Sequence, residues 1–356
     1  NLSNVTSVTN SLFTDLTALQ SINLSSVTSV PNSLFAGMTG LQSINLSSAT
    51  SVPDSLFSGL TVLQSINLSS VTSLQDSLFE GLTALQSIES NDLREIENNT
   101  FNGCVNLTSI GPNSDIDTGL NLNRLTKIGD YAFNGCSSLT IANLPRVNQI
   151  GNNTFFNCSG LTTINISYVN RNSVVKGVNL IEDYAFNACS NLTSINLPRL
   201  KKLGDYAFDG CIGLTTISDM NKVNVIGDNA FNACSSLTSL PTMSRLSIIG
   251  NNSFAGCTGL SGTVNAPILQ TIGNSGFVGC VGITGFVAPL LQNIGENAFN
   301  GCIGLGDSLS FPRVKSIKTL AFDGCTGMTQ ISVYKSASIA SDAFPNTVTV
   351  NLIDSS

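Results

Sequence analysis

Apolar residues recur along this chain about every 22–23 positions, and phenylalanine marks the period most clearly. The column runs through Phe13, Phe35, Phe57, Phe79, Phe101, Phe133, Phe155, Phe186, Phe208, Phe231, Phe254, Phe277, Phe299, Phe322 and Phe344. Six residues after each early Phe comes an apolar residue that opens Leu-x-x-Ile-x-Leu, as in Leu19, Ile22 and Leu24, then Leu41, Ile44 and Leu46. The two-residue step from Ile22 to Leu24 predicts a short strand, and stacked copies predict a parallel sheet. A second apolar pair follows, such as Val27 and Val30, or Val147 and Ile150. The chain then enters a segment that carries the Phe, for which a short helical turn is expected. Three residues before Phe stands Asn10, Asn32, Asp54, Asp76, Asp130 or an equivalent, a type favoured at a helix N-cap.

A unit of this size cannot bury its own apolar face, but stacked neighbours can, so the Phe column predicts the spine of a repeat solenoid. About fifteen turns are expected in one array over residues 1–356. Residues 1–100 are regular 22-residue repeats without Cys, residues 101–340 carry Phe-x-x-Cys, and residues 341–356 form a terminal repeat. Two turns are longer than the rest, with insertions near 111–123 and 167–177. Both insertions follow a predicted strand, and one ordinary turn separates them. They are therefore expected on one edge, about 10 Å apart at the strand spacing. Asp115, Asp117, Arg171 and Lys176 lie in them and form the candidate binding edge.

The repeat resembles a known family. Ala185, Phe186 and Cys189, followed by Leu192, Ile195, Leu197 and Pro198, are similar to the BspA-type leucine-rich repeats, which join Ala-Phe-x-x-Cys to Leu-x-x-Ile-x-Leu-Pro. The likeness covers nearly the whole chain and weakens over residues 1–90, where Ser-Leu-Phe replaces Ala-Phe and no Cys follows. It implies a leucine-rich-repeat superhelix with a parallel β-sheet on one side and short helical turns on the other. It also implies a secreted or surface-displayed protein that binds proteins, cells or matrix.

The composition argues against chemistry. The chain holds no His and no Trp, with 15 Lys and Arg against 22 Asp and Glu and a net charge of −7. Without His, the commonest general base and metal ligand are missing, and no Ser, Cys or Lys has a candidate His partner. No enzyme, metal or cofactor is expected. Residues 1–93 contain no Lys or Arg, which argues against nucleic acid as a partner of that part of the chain. No apolar run reaches the roughly 20 residues of a membrane span. The start at Asn1, with neither Met nor a signal-peptide pattern, reads as a processed chain or a fragment.

All ten cysteines, from Cys104 to Cys325, sit three residues after a repeat Phe. The same column holds Leu16, Met38, Leu60 and Leu82 earlier in the chain, so it is apolar and suits reduced, buried thiols. Stacking at about 5 Å leaves a disulfide open on distance alone.

Ser and Asn flank the buried strand residue, as at Ser21 and Asn23, Ser43 and Asn45, and Ser65 and Asn67, which predicts a polar ladder on the outer face. Asn23, Asn45, Asn67, Asn106, Asn165 and Asn191 lie in Asn-x-Ser/Thr sequons and are candidate N-glycosylation sites. Thr-Ser pairs at Thr6, Thr28, Thr50 and Thr72 resemble the flat arrays of ice-binding solenoids, a remote alternative. No amphipathic N-terminal cap is visible, which leaves either a cap removed with an upstream region or another copy stacked on the end. The expected function is a non-enzymatic extracellular or cell-surface protein that adheres to a protein or cell-surface ligand. The alternative is a structural protein that is its own partner in a head-to-tail filament.

Overall fold

The computed structural model describes residues 2–14, 16–112, 119–169 and 174–354. The chain forms two compact units, Asn1–Val178 and Asn179–Ser356, and each is a parallel β-solenoid; together they hold about fifteen turns. In the first unit one parallel sheet runs from Ser21–Asn23 through Ser43–Asn45, Ser65–Asn67, Ser87–Glu89, Ser109–Gly111, Leu120–Asn121 and Ile141–Asn143 to Thr163–Asn165. The pairing is in register, with Ile22 beside Ile44 and Ile44 beside Ile66, so identical side chains stack on the same face. In the second unit the longest sheet lies on the next side of the coil. It runs from Leu180–Ile181 through Lys202–Leu203, Val225–Ile226, Ile248–Ile249, Thr271–Ile272, Asn293–Ile294 and Ser316–Ile317 to Ser338–Ile339.

The interior is an apolar spine. Phe35 through Phe322 in the repeat column are at most 1% exposed, and Phe13 is also buried. Neighbouring rings stack, at 5.0 Å for Phe57 on Phe79 in the first unit and 5.1 Å for Phe186 on Phe208 in the second. In the second unit Phe286 enters from a strand and meets Phe277 and Phe299 edge-on, each at 5.3 Å. Phe344 differs from the rest: it is only half-buried and stacks on Phe322 alone, at 5.0 Å.

The segment around each Phe is not a helical turn, and no helix occurs among the described residues. Two residues per turn take left-handed backbone there, Tyr206 at φ 57° and Gly210 at φ 72° in one turn. Those reversals point alternate N–H groups along the stack. Tyr206, Phe208 and Gly210 donate to the carbonyls of Asp228, Ala230 and Asn232 in the next turn, at 2.8, 2.8 and 3.0 Å. Asp209 and Cys211, by contrast, close bonds within their own turn, to Tyr206 and Phe208, both at 3.1 Å. A helix would direct the same N–H groups to its own carbonyls. A wall of inter-turn bonds satisfies them instead, as in a sheet.

The Asn/Asp column is corrected with it. Its side chains bond to the next turn rather than cap a helix. In the second unit, Oδ1 of Asp183 accepts the N–H of Asp205, and Asp205 accepts that of Asp228, both at 2.8 Å. Asp228 in turn accepts that of Asn251 at 2.7 Å. Close packing here explains the glycine beside the column: a Cβ on Gly227 would lie 2.4 Å from Asp205 Oδ1.

One turn of the first unit breaks the regularity. Ser109–Gly111 and Leu120–Asn121 form two successive rungs of the first sheet, yet Glu95–Ile96 pairs directly with Lys127–Ile128 on the second. The rung Ser109–Gly111 therefore has no counterpart around the corner. The second long turn forms an antiparallel hairpin, Ser167–Val169 with Val175–Gly177.

Candidate functional surface

The exposed surface is built one rung at a time. A buried residue is flanked by two that face out, so Thr163, Asn165, Ser194, Asn196, Thr216 and Ser218 are exposed while Ile164, Ile195 and Ile217 are buried. The asparagines on this face bond in two ways. Asn165 Nδ2 donates to Asn143 Oδ1 in the turn below at 2.5 Å, which is the ladder geometry. In the first turns the oxygen turns inward along the chain: Asn23, Asn45 and Asn67 accept the N–H of Ser25, Ser47 and Ser69 at 3.0–3.1 Å. Asn67 also donates to Glu89 at 2.6 Å. Among the sequon residues, Asn23, Asn45 and Asn67 are half-buried, whereas Asn106, Asn165 and Asn191 are exposed. Asn106 Nδ2 donates to the Thr83 carbonyl at 2.8 Å.

Charge is sorted by position in the turn. In five turns a basic residue comes two residues after the buried Leu or Met that closes the rung: Arg124 and Arg146 in the first unit, then Arg199, Lys222 and Arg245 on three successive turns of the second. Lys201 and Lys202 are exposed beside them. Stacked turns place such side chains about 4.8 Å apart along the edge. The acidic side chains Asp183, Asp205 and Asp228 lie beyond the second strand, where the ladder uses them. In the first unit Lys127 pairs with Glu97 at 2.6 Å, and Arg124 pairs with Asp92. Sequence reasoning missed this basic column because it read Lys and Arg as a total. Their fixed place two residues after a buried Leu or Met was the available signal.

Of the candidate binding edge, Lys176 is exposed on the hairpin opposite Tyr168. Asp115, Asp117 and Arg171 lie outside the described residues.

The cysteines offer no reactive thiolate. All ten are free and buried, and most donate Sγ–H to the carbonyl of a Phe in the turn below, as Cys211 does to Phe186 at 3.1 Å. Burial raises the thiol pKa of Cys104 and Cys325 to about 12, and raises Cys158, Cys211 and Cys280 further. Cys therefore takes the place of Leu60 and Leu82 as a small apolar group whose proton has a partner. No group of three metal-binding side chains occurs among the described residues, and no helix there is long and apolar enough to cross a membrane.

The model of the BspA type leucine-rich repeat region matches in six copies, over residues 2–108, 115–175, 170–284 and 260–355. The chain belongs to the BspA-type leucine-rich-repeat family. A search of curated proteins finds nothing that matches it. Among solved structures, a leucine-rich repeat protein from Bacteroides ovatus is 22% identical over 95% of this chain and 93% of its own, with a TM-score of 0.52. A leucine-rich cell surface protein from Faecalibacterium prausnitzii is 19% identical over 82% of this chain and 83% of its own, with a TM-score of 0.35. The pneumococcal vaccine antigen PcpA is 20% identical over 87% and 79%, also at 0.35. The likeness to the Bacteroides protein shows the fold. Membership identifies a repeat protein of the kind that serves protein-protein interaction.

Proposed function

We propose that this BspA-type array is an extracellular or cell-surface adhesion protein that binds a protein or cell-surface ligand through its extended outer face and performs no catalysis. The observation that carries this is the rung pattern, in which short polar side chains stand exposed on both sides of the buried Ile164, Ile195 and Ile217. The spine is already filled by stacked rings and held by inter-turn bonds. What varies from turn to turn is therefore outside, available to a partner. Family membership supports the location, because the resemblance to BspA-type repeats implies a secreted or surface-displayed protein.

The test has two parts. Antibody labelling of intact producing cells should reveal the protein on the surface. Fluorescently labelled protein should bind target cells saturably, and protease treatment of those cells should remove the binding. A variant with Ser194→Glu and Thr216→Glu on the rung face should bind more weakly with unchanged thermal stability. A protein confined to the cell interior, or binding that never saturates, would sink the proposal.

A further inference from the structure

The unmatched rung creates a cleft in the first unit, and we propose that it is a binding site for one neutral sugar ring. Between the corner that follows Ser87–Glu89 and the corner that follows Leu120–Asn121, the first sheet advances two rungs while the second advances one. The corners splay apart, and a cavity of about 210 Å³ lies between them. This wedge follows from the topology and occurs where a single rung lacks its return strand.

The residue at its base departs from the repeat. Leaving aside the unmatched rung Ser109–Gly111, which Pro112 follows, the position after each rung in successive turns is Leu24, Leu46, Leu68, Ser90, Leu122 and Leu144. The hydrogen bonds define the equivalence: each of these N–H groups donates to the last carbonyl of the next rung, Leu68 to Glu89 at 2.9 Å and Ser90 to Gly111 at 3.1 Å. Ser90 is only 4% exposed, lines the cavity, and its hydroxyl has no hydrogen-bond partner. A buried hydroxyl without a partner is costly, so a polar group delivered into the cleft is favoured there.

The rest of the lining selects the ligand class. Asn91, Asn121 and Asn123 each contribute a carboxamide, which both donates and accepts and so matches adjacent hydroxyl groups. Asn123 Nδ2 donates to Asn121 Oδ1 at 2.7 Å, so these two amides are already oriented. Among the described residues Arg124 is the one charged residue of the lining, and Asp92 pairs with it. That pair balances its own charge, so the described part of the lining selects neither an anion nor a cation. Leu93, Pro112 and Leu122 supply the apolar surface that the C–H face of a pyranose covers. The volume lies below the roughly 300 Å³ at which sites for drug-sized ligands begin. It fits a single ring, with the rest of any glycan outside. The site uses no protein partner and does not depend on the adhesion proposal.

The experiment is saturation-transfer difference NMR on the full chain. The panel holds glucose, galactose, mannose, fucose, N-acetylglucosamine and N-acetylgalactosamine, with glucuronic acid and glucosamine as charged counterparts. At least one neutral sugar should give a saturable response. Ser90→Leu restores the residue found in the neighbouring turns, at Leu68 and Leu122, and fills the cleft, so it should weaken that binding by at least roughly tenfold while the melting temperature holds or rises. Asn123→Ala should weaken binding as well, and serves should Ser90→Leu fail to fold. No saturable response from any neutral sugar, binding unaltered in both variants, or tighter binding of a charged counterpart would each overturn the assignment.

Discussion

Replacing Phe208 with Ala tests whether the ring column is the structural spine. Phe208 is fully buried in the second unit, with the Phe186 ring centroid at 5.1 Å on one side and Phe231 at 5.3 Å on the other. Truncating a buried Phe costs about 3–5 kcal/mol, depending on how far the surroundings collapse into the space. Collapse is opposed here. Phe208 N–H bonds to the Ala230 carbonyl at 2.8 Å, and its own carbonyl accepts from Cys211 N–H at 3.1 Å and Cys234 Sγ at 3.2 Å. The backbone on both sides is thus held in place and the cavity stays open, so the upper part of that range, about 4–5 kcal/mol, is expected. Phe344→Ala is the control. It is half-buried with one ring neighbour, and should cost only about 1–2 kcal/mol. A repeat array need not unfold in one step, so native-state hydrogen exchange read turn by turn is the appropriate assay. Amides of the turns around residues 186–231 should lose protection in Phe208→Ala. A cost below about 1 kcal/mol for Phe208→Ala, or equal costs for the two variants, would refute the spine.

Three further perturbations examine other parts of the fold. Asp228 accepts two bonds from Asn251, at 2.7 Å from N–H and 3.0 Å from Nδ2, so Asp228→Ala should destabilise the second unit by about 1–3 kcal/mol in urea denaturation. Asp228→Asn keeps an accepting oxygen and should lose less; equal losses would refute the ladder. The buried thiols should resist iodoacetamide in the native protein and all ten should react after denaturation, as counted by mass spectrometry; fast native labelling would refute their burial. Their folded pKa values lie above the ordinary value of 9.0, so the stabilisation is complete below pH 9 and declines as pH rises toward about 12, a loss visible by circular dichroism. Asp307 has the opposite sign. Bonds from Thr329 N–H and Oγ1–H, with a further one from Gln330 N–H, lower its pKa, so its contribution is present above the ordinary carboxylate pKa and is lost as pH falls through the depressed value. Asp307→Asn should flatten that acid limb, and an unchanged limb would contradict the assignment.

The fold was legible wherever side-chain identity depends on burial. Phe at one spacing means a stacked spine, and Ile22, Ile44 and Ile66 must face inward because each sits between polar neighbours. The helical turn was misread because two structures ask for the same residues. A helix cap and an inter-turn ladder both select a short side chain with an oxygen at Asp183, Asp205 and Asp228, and only backbone conformation separates them. That conformation was obscured because Tyr206 and Leu320 occupy left-handed positions that glycine or asparagine would have advertised. Of the proposed binding edge, only Lys176 has a described position. The cleft at Ser90 escaped notice for a different reason: serine is abundant here, and its meaning appears only against the column of leucines it interrupts.

That contrast bears on where specificity resides. In a perfect solenoid each turn presents nearly the same side chains as its neighbours, so a ligand would bind almost equally well one turn up or down, and register would be undetermined. A defined binding position therefore requires departures from the repeat. In the first unit these are the unmatched rung Ser109–Gly111, Ser90 in a leucine column, and the hairpin of Ser167–Val169 with Val175–Gly177. In the second they are the run of Arg199, Lys222 and Arg245, which ends where Ile268 takes the same position. Each interrupts a column without removing a ring from the spine, so it can change what the surface binds at little cost to folding. Substitutions at these departures should shift the position or identity of a bound ligand while leaving stability nearly unchanged. Substitutions in the Phe column should do the reverse.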